Sequence, residues 1–144
     1  MTNRAQEKKP PVGFTDETFH LPHRVEIGDE LTMFENIQRA FEQAERGEDI
    51  EPRSVMYVAP ETMRDVLIES RSRIMEYVSS VREVHSIEAM AHELNRERSG
   101  VSRDVKLLEN LGLLKVQECV HSGHGKRKSI SLAHDHMEIR LRFA

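Results

Sequence analysis

The stretch from Ser86 to Leu132, SIEAMAHELNRERSGVSRDVKLLENLGLLKVQECVHSGHGKRKSISL, constrains the fold of this 144-residue chain more than any other. Ser86 is placed to cap a helix in which Ile87, Met90, Ala91 and Leu94 recur at steps of three and four. A polar turn, Asn95-Arg96-Glu97, follows. In a second helix Val101, Val105, Leu108 and Leu111 form one apolar stripe, and Arg98, Ser99, Ser102, Arg103 and Lys106 lie along the opposite face and near the N-terminal end. Gly112 ends this helix as a left-handed residue just past its cap.

Beyond the glycine, Leu114, Val116, Cys119 and Val120 read as one apolar strand, and Ile130 and Leu132 as its return. Ser122-Gly123-His124-Gly125 supplies a flexible tip flanked by Lys126, Arg127 and Lys128. Helix, turn, helix and basic hairpin in this order predict a winged helix-turn-helix. Its second helix suits the major groove of B-DNA, with Arg98, Ser99, Ser102, Arg103 and Lys106 toward base edges. The hairpin would hold the backbone through Lys126, Arg127 and Lys128.

The run SGVSRDVKLLENLGLL resembles the recognition helix of MarR-like winged-helix regulators of transcription. More narrowly, RERSGVSRDVK followed by a short C-terminal strand resembles a family of small archaeal and bacterial regulators, often encoded beside a toxin gene and read as its antitoxin. The resemblance spans about residues 30–143, and its specific part is Ser86 to Gly112. It implies a DNA-binding regulator, most simply a repressor, with a toxin protein as a possible second partner.

The net charge of −4 looks unsuited to nucleic acid until it is divided along the chain. From Arg96 to Lys128 the balance is +4, whereas from Asp29 to Glu51 it is −6. A basic reading end and an acidic remainder are thus expected. Cys119 is the single cysteine, which excludes an intramolecular disulfide framework and suits a cytoplasmic protein. No segment approaches the roughly 18 apolar residues of a membrane span, and no secretory signal opens the chain. With no tryptophan and few aromatic residues, stacking on single-stranded bases is not its main work.

Residues 1–20, polar and without periodicity, read as a flexible tail. Residues 21–60 read as an accessory β-α-β segment. In it His23–Ile27 is a strand, Gly28-Asp29 a turn, Glu30–Glu45 an acidic helix ended by Gly47, and Ser54–Val58 a second strand. Leu31, Phe34, Ile37, Ala40, Phe41 and Ala44 share one face of that helix. Residues 61–132 are the winged domain, entered by a short helix broken near Glu69-Ser70 and then a helix from Arg71 to Val81. Met56, Met63, Met75 and Met90 fall at core positions. Within residues 133–144, Met137 to Phe143 alternates apolar and charged, a half-buried strand that needs the strands near Val25 and Val55 as partners. The class expected is α+β: a winged helix-turn-helix with a small accessory sheet and one acidic helix.

The eight histidines invite a metal reading through the pairs His20/His23, His121/His124 and His134/His136, but only Cys119 could add a soft ligand. Exposed loop and strand histidines are the simpler reading, and no metal or cofactor is expected. Nor is an enzyme, because there is no Gly-rich phosphate loop and no nucleophile motif. Asp104, amid the cations of the second helix, is expected on its flank, holding Arg103 or a nearby lysine. One winged helix gives little specificity, so double-stranded DNA read by a homodimer is the working expectation. The rival class is a winged-helix module that binds protein and not DNA.

Overall fold

The computed structural model describes residues 16–121 and 125–141. The first element is a short helix, α1 (Asp16–His20), within the stretch expected to be a tail. Its Phe19 is buried, and the Phe19 carbonyl accepts the backbone N–H of Asp135 at 3.0 Å. One buried ring in an otherwise polar segment gives no period, which is why the sequence shows no helix there.

Next come β1 (His23–Ile27), α2 (Glu30–Glu45) and β2 (Ser54–Val58), with the bounds the sequence predicts. Asp29 caps α2 reciprocally: its carboxylate accepts the Thr32 N–H at 2.9 Å, and the Thr32 hydroxyl accepts the Asp29 N–H. At the other end Gly47, with φ +73°, donates to the Ala44 carbonyl while Glu48 donates to Gln43, a Schellman closure. The local rules that end a helix are therefore met at both termini. No residue of α2 is buried, however, and the apolar face that the spacing predicts is open.

Two helices follow, α3 (Pro60–Val66) and α4 (Glu69–Val81). The break falls at Leu67-Ile68, so α4 starts at Glu69, two residues before the expected Arg71. Then come β3 (Glu83–Val84), α5 (Ile87–Glu93), α6 (Arg98–Asn110), β4 (Leu114–His121) and β5 (Gly125–Leu132), closed by β6 (Met137–Arg140). β3 was not anticipated, since two residues are too few to show alternation; it pairs antiparallel with β5 through Glu83–Ser131 and Val84–Ile130.

There are two three-stranded sheets. One is the wing, ordered β3-β5-β4 and antiparallel; the other is ordered β2-β1-β6 and parallel, closing within one chain. His23, Val25 and Ile27 alternate along β1, and fully buried Val25 sits between Met56 and Ile139. The shared core joins Val25, Met63, Ile74, Val78, Met90, Val101, Leu108 and Ile130, so the accessory sheet and the helices of the wing are packed as one body. The chain is α+β, a winged helix-turn-helix with a small accessory sheet and one acidic helix.

β6 is shorter than the alternation from Met137 to Phe143 suggests, and Phe143 lies outside the described residues. Ile139 and Leu141 remain 38% and 42% exposed. β6 is an edge strand, and Ile139 and Met137 line an open cleft of about 600 Å³ with Leu67, Met75 and Leu132, so the expected burial is only partly realised.

Candidate nucleic-acid interface

α5 begins as expected, with the Ser86 hydroxyl accepting the Ala89 N–H at 3.1 Å. Met90 and Ala91 are buried beneath it, and Ile87 and Leu94 pack at its margins. The turn is made by Asn95 at φ 53°, a left-handed residue that asparagine tolerates, and by the Arg96 N–H donating to the Ala91 carbonyl at 2.9 Å. This bond reverses the chain into α6.

Val101, Val105, Leu108 and Leu111 are all buried, so the inward stripe of α6 is the predicted one. With that face fixed, helical geometry puts Arg98, Ser99, Ser102, Arg103 and Lys106 on a contiguous outer arc, and each is exposed. Arg98, Arg103 and Lys106 pair with no carboxylate among the described residues, which leaves three cations and two hydroxyls on one open helix face.

Asp104 is a correction. It is buried and faces away from the open arc, and it holds neither Arg103 nor a lysine. Its Oδ1 accepts from Nε of Arg71 in α4 at 3.0 Å, and its Oδ2 from Nη2 of Arg96 in the turn at 2.7 Å. Arg71 is itself tied to the Asp65 carbonyl at the end of α3. One carboxylate thus clamps three segments around the start of α6. Arg71 lies 33 positions away and Arg96 across a turn, so no local spacing reveals either partner.

The far end of α6 is fixed as firmly. Gly112, with φ +73°, donates to the Glu109 carbonyl and Leu113 to the Leu108 carbonyl, again a Schellman closure. The Nε2–H of His23 in β1 donates to the Leu111 carbonyl at 2.9 Å, and its Nδ1 takes the Ser54 hydroxyl at 3.0 Å. His23 stacks on His134 with ring centroids 4.8 Å apart, and both rings are buried. These two therefore depart from the exposed reading: they are packing histidines, with the His134 Nδ1 donating to the Leu21 carbonyl at 2.8 Å. Burial holds His134 below its ordinary pKa, and the neighbouring His23 adds to the effect.

In the wing, Lys126, Arg127 and Lys128 occupy β5 opposite Val120, Cys119 and Glu118. They stand in the ladder itself. Lys128 is exposed, while the side chains of Cys119, Val120, Lys126 and Arg127 and the tip from Ser122 to His124 lie outside the described residues.

A family model described as HVO_A0114 matches residues 66–139, more than half of the chain. The chain belongs to the HVO_A0114 family. The matched span runs from the end of α3 through the wing into β6, so it includes α5, α6 and the wing, while His23, Ser54 and Asp65 lie outside it. No curated protein matches this HVO_A0114 member. Among solved structures, it is similar to the transcriptional regulator homologue protein from Pyrococcus horikoshii OT3, at 15% identity and a TM-score of 0.39, over 50% of this chain and 75% of that one. No helix among the described residues is long and apolar enough to cross a membrane.

Proposed function

We propose that this protein is a sequence-specific double-stranded DNA-binding regulator of transcription, working as a homodimer and acting as a repressor. The observation that carries the reading is the outer arc of α6, where Arg98, Ser99, Ser102, Arg103 and Lys106 are exposed together while the opposite face is locked into the core. A helix held this way can enter a major groove without rearranging, and its hydroxyls and cations suit base edges and phosphates. Lys126, Arg127 and Lys128 on the wing are assigned to the backbone. No catalytic step and no cofactor are assigned to the protein.

The antitoxin reading adds a toxin protein as a second partner, motivated by the family resemblance alone, with the acidic side of α2 as one candidate surface for a basic toxin. A protein-binding module without DNA affinity is the second reading, favoured by the open apolar face of that helix.

Titration with random duplex DNA at two salt concentrations separates them. DNA binding predicts an affinity that falls by about 0.9 log units per log unit of salt for each phosphate contact. No binding at low salt rejects the regulator and leaves the module.

A further inference from the structure

α2 is sixteen residues long and properly capped at both ends, yet none of its side chains is buried. Leu31, Phe34, Ile37 and Phe41 are 65%, 63%, 45% and 69% exposed. A capped helix of about this length is marginal in water unless an apolar face is covered. What ties it to its own sheet is polar, the Asn36 amide donating to the Tyr57 hydroxyl at 2.7 Å. The side turned to the body is thus the Thr32-Asn36-Ala40 row, and the phenylalanines point outward.

We propose that this face is where a second copy of the chain docks, α2 against α2 in antiparallel orientation about a two-fold axis near Ile37 and Gln38. Such an axis brings Phe34 of each helix beside Phe41 of the other and Leu31 beside Ala44, a large residue against a small one. The face is therefore self-complementary, as an isologous contact requires. With fully exposed aromatic side chains presenting about 150–250 Å² each, Leu31, Met33, Phe34, Ile37 and Phe41 offer about 500 Å² per chain. The pair then buries about 1,000 Å² before any flanking polar atom is counted, which reaches the lower bound for a specific interface.

Charge narrows the occupant further. α2 carries Glu30, Glu35, Glu42 and Glu45 against Arg39, so nucleic acid and anionic membranes are repelled. Glu35, Arg39 and Glu42 lie around the helix from the two phenylalanines, whereas Glu30 and Glu45, which the axis sets opposite each other, confine the like-charge contacts to the exposed ends of the seam, and antiparallel helices oppose their dipoles. The fifteen residues ahead of α1 offer only Val12 and Phe14 as large apolar side chains besides Met1, a poor match for four.

This surface rests on the homodimer reading but not on DNA binding, so it is tested without DNA. Sedimentation equilibrium of the full chain is expected to give a dimer, and Phe34→Glu with Phe41→Glu to raise its dissociation constant at least about 100-fold, with the far-ultraviolet circular dichroism retained. Should that variant fail to fold, two single-cysteine chains made in a Cys119→Ser background, Phe34→Cys and Phe41→Cys, are mixed and oxidised. Disulfides mainly between unlike chains are expected. A monomeric parent overturns the proposal, as does cross-linking mainly between like chains. A double variant that dimerises as the parent does overturns the surface while leaving the homodimer standing. A monomer that dimerises only after deletion of residues 1–15 assigns the face to that segment instead. A failed DNA titration by an intact dimer counts against DNA binding alone.

Discussion

Asp104 Oδ2 accepts from Nη2 of Arg96 at 2.7 Å, joining the middle of α6 to the turn that precedes it. The other carboxylate oxygen is taken by Arg71, so a single buried side chain sets where α6 starts relative to both α4 and the turn. Two guanidiniums on one carboxylate also leave a local positive excess behind α6, which makes the pairing sensitive to losing its acid and tolerant of losing either base.

Asp104→Asn should therefore cost more than a surface charge change. Removing one member of a buried ion pair leaves its partners uncompensated, at about 3–5 kcal/mol when burial is complete; Arg71 and Arg96 are partly exposed, so about 2–3 kcal/mol is expected. Urea unfolding measures it, and a loss below about 0.5 kcal/mol, the range of an ordinary surface substitution, would reject the clamp.

The two left-handed glycines provide an internal comparison. Both have φ +73°, but a Cβ on Gly47 meets nothing within 4 Å, whereas on Gly112 it lies 2.9 Å from Nε2 of His23. Gly47→Ala should cost about 1–2 kcal/mol for the backbone conformation alone. Gly112→Ala must in addition displace the ring that bonds the Leu111 carbonyl, and it should cost clearly more. Equal losses in thermal unfolding would show that His23 moves aside freely.

Stability should also fall on mild acidification. His134 is held below its ordinary value near 6.5 by burial first and by His23 second. The unfolded chain then binds the extra proton in the window just below pH 6.5, so the contribution is fully present above that value and lost as pH falls toward the folded pKa. Asp29 and Glu138, lowered by the Thr32 N–H and by Arg24 respectively, act only below the usual carboxylate range. Urea midpoints from pH 7.5 to 5 should decline in the parent and decline less in His134→Asn. Parallel profiles would remove His134 from the effect.

How much of this was legible in the sequence follows from which interactions are local. The capped helices, the inward stripe of α6 and the αL glycines Gly47 and Gly112 depend on neighbours within a turn or two, and each stands where the pattern puts it. Asp104 pairs across 8 and 33 positions, and His23 reaches across 88 to Leu111, so these links have no periodic trace. The cover of α2 has no trace in the sequence for a different reason. Amphipathic spacing shows that a face is apolar but not that its own chain covers it, and here the chain leaves Phe34 and Phe41 open.

Arg103 is the residue on which base reading should turn. It lies on the exposed arc of α6, and Asp104, its neighbour and the obvious competitor for its charge, is already occupied by Arg71 and Arg96. A free guanidinium can donate two hydrogen bonds to O6 and N7 of a guanine, a geometry that a lysine ammonium cannot reproduce. Arg103→Ala is expected to cost about 1–3 kcal/mol on the preferred site and much less on random duplex. Arg103→Lys should recover the non-specific share of affinity and leave the preference lost. Binding selections with the parent and Arg103→Ala proteins discriminate: relaxed preference at one position identifies the base read, whereas a uniform loss with the preferred sequence unchanged throughout would reduce Arg103 to a phosphate contact.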